Sequence, residues 1–222
     1  MQRSILAGAL LAALTFGAPA AHAAILISAT PGPQAPVVPG GLLDDFDGPT
    51  PAGFVYSGSY DIQSGTIVNV NAQPWLDTTN YFFAPRAPAF GGNATIDFSG
   101  ALGSNGVSSI DFYWGSVDYW NTLTILDRSG NPLLVVPGNT FPPANGNQFS
   151  AGTNLNIHIV ATGLDRGQVG GLNLGTTQPA FEIEGLNIIT GSVPEISTWA
   201  MMILGFFGTG AVIRQQRKML QA

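Results

Sequence analysis

Residues 108–116 read SSIDFYWGS, and the alternation inside this stretch decides the fold class. Ile110, Phe112 and Trp114 fall on one face of an extended chain, with Asp111 and Tyr113 on the other. A period of two is the signature of a strand with one buried and one wet face. The same period recurs on either side. NATIDFSG (93–100) sets Ile96 and Phe98 against Thr95 and Asp97, and NTLTILD (121–127) gives Leu123 and Ile125. Further on, NLNIHIV (154–160) gives Leu155, Ile157 and Ile159, and FEIEG (181–185) gives Phe181 and Ile183. No stretch of the body carries a long helical period.

The text between these runs is turn chemistry: SNG at 104–106, SGNP at 129–132, NGN at 145–147 and GQVGG at 167–171. Asp127 to Asn131 followed by PLLVV predicts a hairpin, with Gly130 free to take positive φ. About eight to ten short strands, each with one apolar face, must pair those faces, and the expected solution is an all-β, antiparallel, jelly-roll-like β-sandwich over residues 44–192. Ahead of it, residues 24–43 hold four prolines and three glycines. That composition predicts an extended lead-in with at most an edge strand at Ala24 to Ser28.

Composition narrows the function. The chain is 45% apolar but only 9% charged, with 29 Gly and 16 Pro, which suits short strands and tight loops better than helices. Cysteine is absent, removing disulfides, thiolate nucleophiles and cysteine-based metal sites together. Between Ala24 and Val193 there are three arginines, no lysine and twelve acidic residues. Such a surface repels nucleic acid and anionic lipid, so neither is an expected partner.

Both ends of the sequence carry membrane-directed text. Met1-Gln2-Arg3, the apolar run to Phe16 and the ending GAPAAHA predict a signal peptide over 1–23. Ala21 and Ala23 are its small cleavage residues, which makes the secretion machinery and signal peptidase expected partners. At the other end, VPEISTWAMMILGFFGTGAVIRQQRK (193–218) runs from a Pro-Glu pair through an uncharged segment, 199–213, to Arg214, Arg217 and Lys218. Eighteen residues from Ile196 would span about 27 Å as a helix, enough for a thinned bilayer. The basic cluster holds its far end in the cytoplasm.

This segment resembles the PEP-CTERM sorting signal in its PEPxxWA variant, found on exported proteins of Gram-negative bacteria. Pro194 and Glu195 match its recognition pair, Trp199 and Ala200 its WA pair, and Arg214 to Lys218 its basic stop. Ile196 stands where the usual second proline would be. The resemblance implies processing by an exosortase near the motif and release of the body to the cell surface or extracellular matrix, beside exopolysaccharide. The stretch 112–131, FYWGSVDYWNTLTILDRSGN, is also similar to a segment recurring in exosortase-dependent surface proteins.

Candidate chemistry in the body is sparse. His158 is its single histidine and is expected on a wet strand face beside Asn156. There is no G-x-S-x-G elbow and too few ligands for zinc. Glu182 and Glu184 lie on one strand face about 6.6 Å apart. A pair on one exposed edge cannot flank a glycosidic bond, so solvated charges are expected. No catalytic residue and no cofactor are therefore expected, and the chain reads as non-enzymatic. A glycan hydrolase using the two glutamates is the least favoured alternative. Asp44, Asp45 and Asp47 ahead of Gly48 are candidate calcium ligands, with a solvated acidic turn as the simpler reading. Tyr119 and Trp120, with Asn121 and Asp118 able to bond hydroxyls, are a candidate glycan platform. Trp114 belongs with the core.

Overall fold

The computed structural model describes residues 24–192. The signal peptide with Ala21 and Ala23, and the sorting segment with Pro194, Glu195, Trp199, Ala200, Arg214, Arg217 and Lys218, lie outside the described residues. The chain runs through β1 (Ala24–Pro31), β2 (Leu42–Asp44), β3 (Val55–Gly58), β4 (Asp61–Gln63), β5 (Tyr81–Ala84) and β6 (Gly92–Asp97). It continues through β7 (Gly106–Gly115), β8 (Asn121–Asp127), β9 (Pro132–Pro137), β10 (Leu155–Thr162), β11 (Val169–Thr176) and β12 (Phe181–Gly191). Two four-residue helices, α1 (Ser99–Leu102) and α2 (Asp165–Gln168), interrupt the strands. No helix among the described residues is long and apolar enough to cross a membrane.

All strand pairings are antiparallel. One sheet has the order β1-β10-β7-β12-β5-β4, with β2 taking the edge of β12 beyond β5; the other has the order β3-β6-β11-β8-β9. Their inner faces share one apolar cluster, giving a sandwich-like arrangement. Ile110, Phe112 and Trp114 enter it from β7, Leu155, Ile157 and Ile159 from β10, and Leu123 and Ile125 from β8. Trp114 stacks on Phe181 at 4.2 Å between ring centroids and 7° between planes. Such a pair contributes about 0.5–1.5 kcal/mol beyond its buried area. The alternation of the sequence thus placed the core side chains because only that parity removes them from water together.

Two local features match their turn residues. Asp127 N–H donates to the Asn131 carbonyl and Gly130 takes φ +84°, closing the β8–β9 hairpin. The edge strand expected at Ala24 to Ser28 extends to Pro31 and pairs with β10 from Ala24↔Thr162 to Pro31↔Leu155.

One expectation needs correction. The outer face of the larger sheet is not uniformly wet. Glu182 and Glu184 on β12 are 1% and 3% exposed, and Tyr113 on β7 is 1% exposed. Strand β12 is central, flanked by β7 on one edge and by β5 and β2 on the other. The segment 64–80 roofs this face: Ala72 N–H donates to Glu182 Oε1 at 2.8 Å, and the Tyr113 hydroxyl donates to the Trp75 carbonyl at 3.0 Å. A register shift follows Glu184, where Gly185 adopts φ +63°. The bulge reverses the parity, so that Leu186 and Ile188 continue the inner face begun by Phe181 and Ile183.

Candidate functional site

A pocket of about 310 Å³ opens at one end of the roofed face. Glu182 of β12 and Ser116 at the end of β7 contribute to its lining, as do Asp118 and Trp120 from the β7–β8 connection. Residues 66–72 contribute Thr66, Asn69 and Asn71, and the segment after β9 contributes Asn145, Gly146 and Gln148. The lining is therefore mostly amides, hydroxyls and two carboxyls, set in backbone fixed by the sheet ends.

The two carboxyls are buried and differ in what they are free to do. Glu182 Oε1 accepts from Ala72 N–H, and Oε2 from the Ser116 hydroxyl at 3.4 Å. Burial pushes its pKa up to about 8, with the neighbouring Asp118 charge adding to the effect. Asp118 is 5% exposed and burial raises its pKa to about 7. Its Oδ1 has no hydrogen-bond partner among the described residues. Asn71 Nδ2 and Trp120 Nε1, both buried donors on the same pocket, also lack one. Unpaired buried donors and acceptors each cost about 1–3 kcal/mol, so a site that keeps several has an unmet demand for a ligand that both gives and takes hydrogen bonds.

The surroundings hold this constellation tightly. Asn121 Oδ1 accepts from Asp118 N–H at 2.8 Å, while its Nδ2 reaches Thr176 Oγ1 and the Ala180 carbonyl. Asn154 Oδ1 accepts from both Ser116 N–H and Trp75 N–H at 3.0 Å, tying the strand end to the roof. Gly146 adopts φ +63°, and a Cβ there would stand 2.2 Å from Asp118 Oδ1. Only glycine lets the 145–148 segment approach that carboxyl so closely.

The residues singled out in the sequence divide as follows. Tyr119 is 63% exposed and packs edge-on against Trp120 at 4.7 Å, and Trp120 lines the pocket, so the aromatic pair borders the polar site. Asn121 is fully buried, and as a glycan contact it is corrected: its amide is consumed in bracing the loop from within. Trp114 is core, as expected. His158 is half exposed on the outer face, with Nδ1 2.6 Å from Asp111 Oδ1 on the adjoining strand.

The acidic turn also needs correction. Asp44 is 4% exposed; its carboxylate accepts from the Tyr56 hydroxyl and from Phe46 N–H, so it is a buried structural acceptor and not part of a solvated turn. Asp45 and Asp47 are exposed. Among the described residues no three His, Asp or Glu side chains stand in ready-made metal-ligand geometry. The roles of Asn71, Ser116 and Gly146 were not legible in the sequence, where each sits in ordinary turn text. Asp118 was, through its place beside two aromatics. No family model matches the chain, and no curated protein matches it.

Proposed function

We propose that this chain is a non-enzymatic, exported surface or matrix protein that holds extracellular polysaccharide in the pocket bordered by Trp120, Asp118 and Asn71. The order of strands β5–β12 supports reading the body as a jelly roll. Consecutive strands cross between sheets as β5, then β6, then β7, then the β8–β9 hairpin, then β10, β11 and β12. The terminal segments support export, and the PEP-CTERM resemblance supports exosortase processing with transient anchoring in the inner membrane, then display at the cell surface.

The observation that carries the binding reading is the mixed set of unmet groups. Two donors, Trp120 Nε1 and Asn71 Nδ2, and one acceptor, Asp118 Oδ1, converge on one pocket beside the exposed Tyr119 ring and the half-buried Trp120 it packs against. A metal ion could serve only the oxygen. A sugar hydroxyl both donates and accepts, and its ring stacks on aromatic faces. Binding without turnover fits better than hydrolysis, because both Glu182 oxygens are held by Ala72 and Ser116 and only Asp118 keeps a free one. A glycosidase needs two working carboxyls.

Retention of the purified chain on the producer's own exopolysaccharide tests the proposal. Trp120→Ala and Asn71→Ala should each reduce retention about tenfold, the loss of roughly 1.4 kcal/mol, with unchanged circular dichroism. No retention of the wild type at high concentration would end the binding reading, and release of reducing sugar abolished by Asp118→Asn would replace it with hydrolysis. Intact mass of protein recovered from the cell surface tests the sorting step. Processing predicts loss of the segment from Trp199 onward.

A further inference from the structure

The pocket between Asp118 and Asn71 carries a charge pattern as well as a set of unmet hydrogen bonds. No arginine, lysine or histidine lines it, and its two ionisable side chains, Asp118 and Glu182, are both acids. The arginines among the described residues are engaged elsewhere. Arg86 pairs with Asp61, Arg128 donates to the Gly103 and Asn105 carbonyls, and Arg166 donates to the Ala161 carbonyl. His158 lines a different pocket, where it is paired with Asp111. A guest in this site therefore meets acids, amides, a hydroxyl-bearing backbone turn and an indole, and no cation among the described residues.

The demand on that guest is fixed by the buried groups left without partners. Asn71 Nδ2 and Trp120 Nε1 must donate, and Asp118 Oδ1 must accept; Asn71 and Asp118 are each 5% exposed. The ammonium group of an amino sugar gives hydrogen bonds and takes none, so it serves Asp118 alone. The carboxylate of a uronic acid takes hydrogen bonds and gives none. It would also stand in one small cavity with two acids and no base, and could enter only where both acids hold their protons. Neutral hydroxyls serve donors and acceptors alike, whatever the state of the two acids. The mouth agrees with the interior. Ile67 and Val68 line it as exposed apolar side chains, with the Tyr119 ring beside them, a surface matched to the C–H faces of uncharged rings.

We propose that this pocket selects uncharged sugar units and rejects uronic acids and other anionic ones, so that the protein attaches to neutral stretches of extracellular polysaccharide. The inference rests on the glycan reading and adds the class of sugar to it. Burial raises the two acids, Asp118 to about 7 and Glu182 to about 8, so both are charged and rejection is fullest above pH 8. In mild acid both are neutral and rejection weakens. Tyr81, on β5 beside Glu182, is held above its ordinary value by burial and by the Glu182 charge, so it stays neutral throughout.

The test uses the full chain and the producer's own exopolysaccharide in two matched forms. In one its carboxyl groups are reduced to alcohols; in the other its primary hydroxyls are oxidised to carboxylates. Physiological salt screens the rest of the acidic surface. At about pH 8.5 the reduced form should be retained at least about tenfold more tightly than the oxidised one, and the gap should shrink at about pH 5.5. Asp118→Asn and Glu182→Gln each remove one acid while keeping an oxygen in place, and each should narrow the gap at the higher pH at least about threefold. Asp165→Asn on α2, outside the pocket, should leave it unchanged. Should one pocket variant fail to fold, the other decides. Equal retention of the two forms at about pH 8.5 overturns the selectivity and leaves glycan binding standing. A gap that neither pocket variant narrows, or that Asp165→Asn narrows equally, does the same. Retention of neither form overturns the glycan reading and this inference with it.

Discussion

Replacing Glu182 by Gln should make the protein more stable at neutral and alkaline pH and leave it unchanged in mild acid. In the folded chain burial holds this carboxyl protonated up to about pH 8, against an ordinary value of 4.5. Below about pH 4.5 both folded and unfolded states carry the proton, and the contribution to stability is complete. As pH rises from there the unfolded chain ionises while the folded one does not, so stability falls until the folded group itself ionises near pH 8. At 1.36 kcal/mol per pH unit the loss is on the order of 5 kcal/mol. With the residue 1% exposed, little solvent screening reduces it. Glutamine keeps an oxygen for Ala72 N–H and has no charge to bury. Urea unfolding of wild type and variant between pH 4 and 9, in chelator, gives the difference curve, in which Asp118 and Glu184 contribute to both chains. The variant's advantage should grow from near zero at pH 4.5 to several kcal/mol above pH 8. A difference that stays constant across this range would refute the argument that burial governs the site.

Other changes have equally definite outcomes. Phe181→Ala removes the ring stacked on Trp114 from the centre of the core and should cost about 3–5 kcal/mol in denaturant unfolding. Gly146→Ala forces a Cβ onto the Asp118 carboxylate at positive φ and should cost about 1–3 kcal/mol while also reducing polysaccharide retention. Gly130→Ala has the same backbone problem in open space, so it should cost about 1 kcal/mol and leave retention intact. Tyr56→Phe strips the hydroxyl donor from the buried Asp44 carboxylate and should cost about 1–3 kcal/mol, measured the same way.

The strand text is one-dimensional information, and the sequence alone was sufficient for it. Ile110, Phe112 and Trp114 had to share a face because strand geometry has a period of two, and Asp127 to Asn131 had to turn because Gly130 alone there tolerates positive φ cheaply. Which outer faces are wet was not local information. Glu182 and Glu184 sit in perfectly alternating text, and nothing within five residues says that a segment a hundred residues earlier will roof them. Asn121 looked like a surface amide and is an internal brace for the same reason: its partners, Thr176 and Ala180, lie more than fifty residues away. Burial, unlike periodicity, depends on which distant segment arrives. The pocket arises where residues 64–80, the β7–β8 connection and β12 meet, so its chemistry was decided by tertiary contact while the strands were decided by sequence.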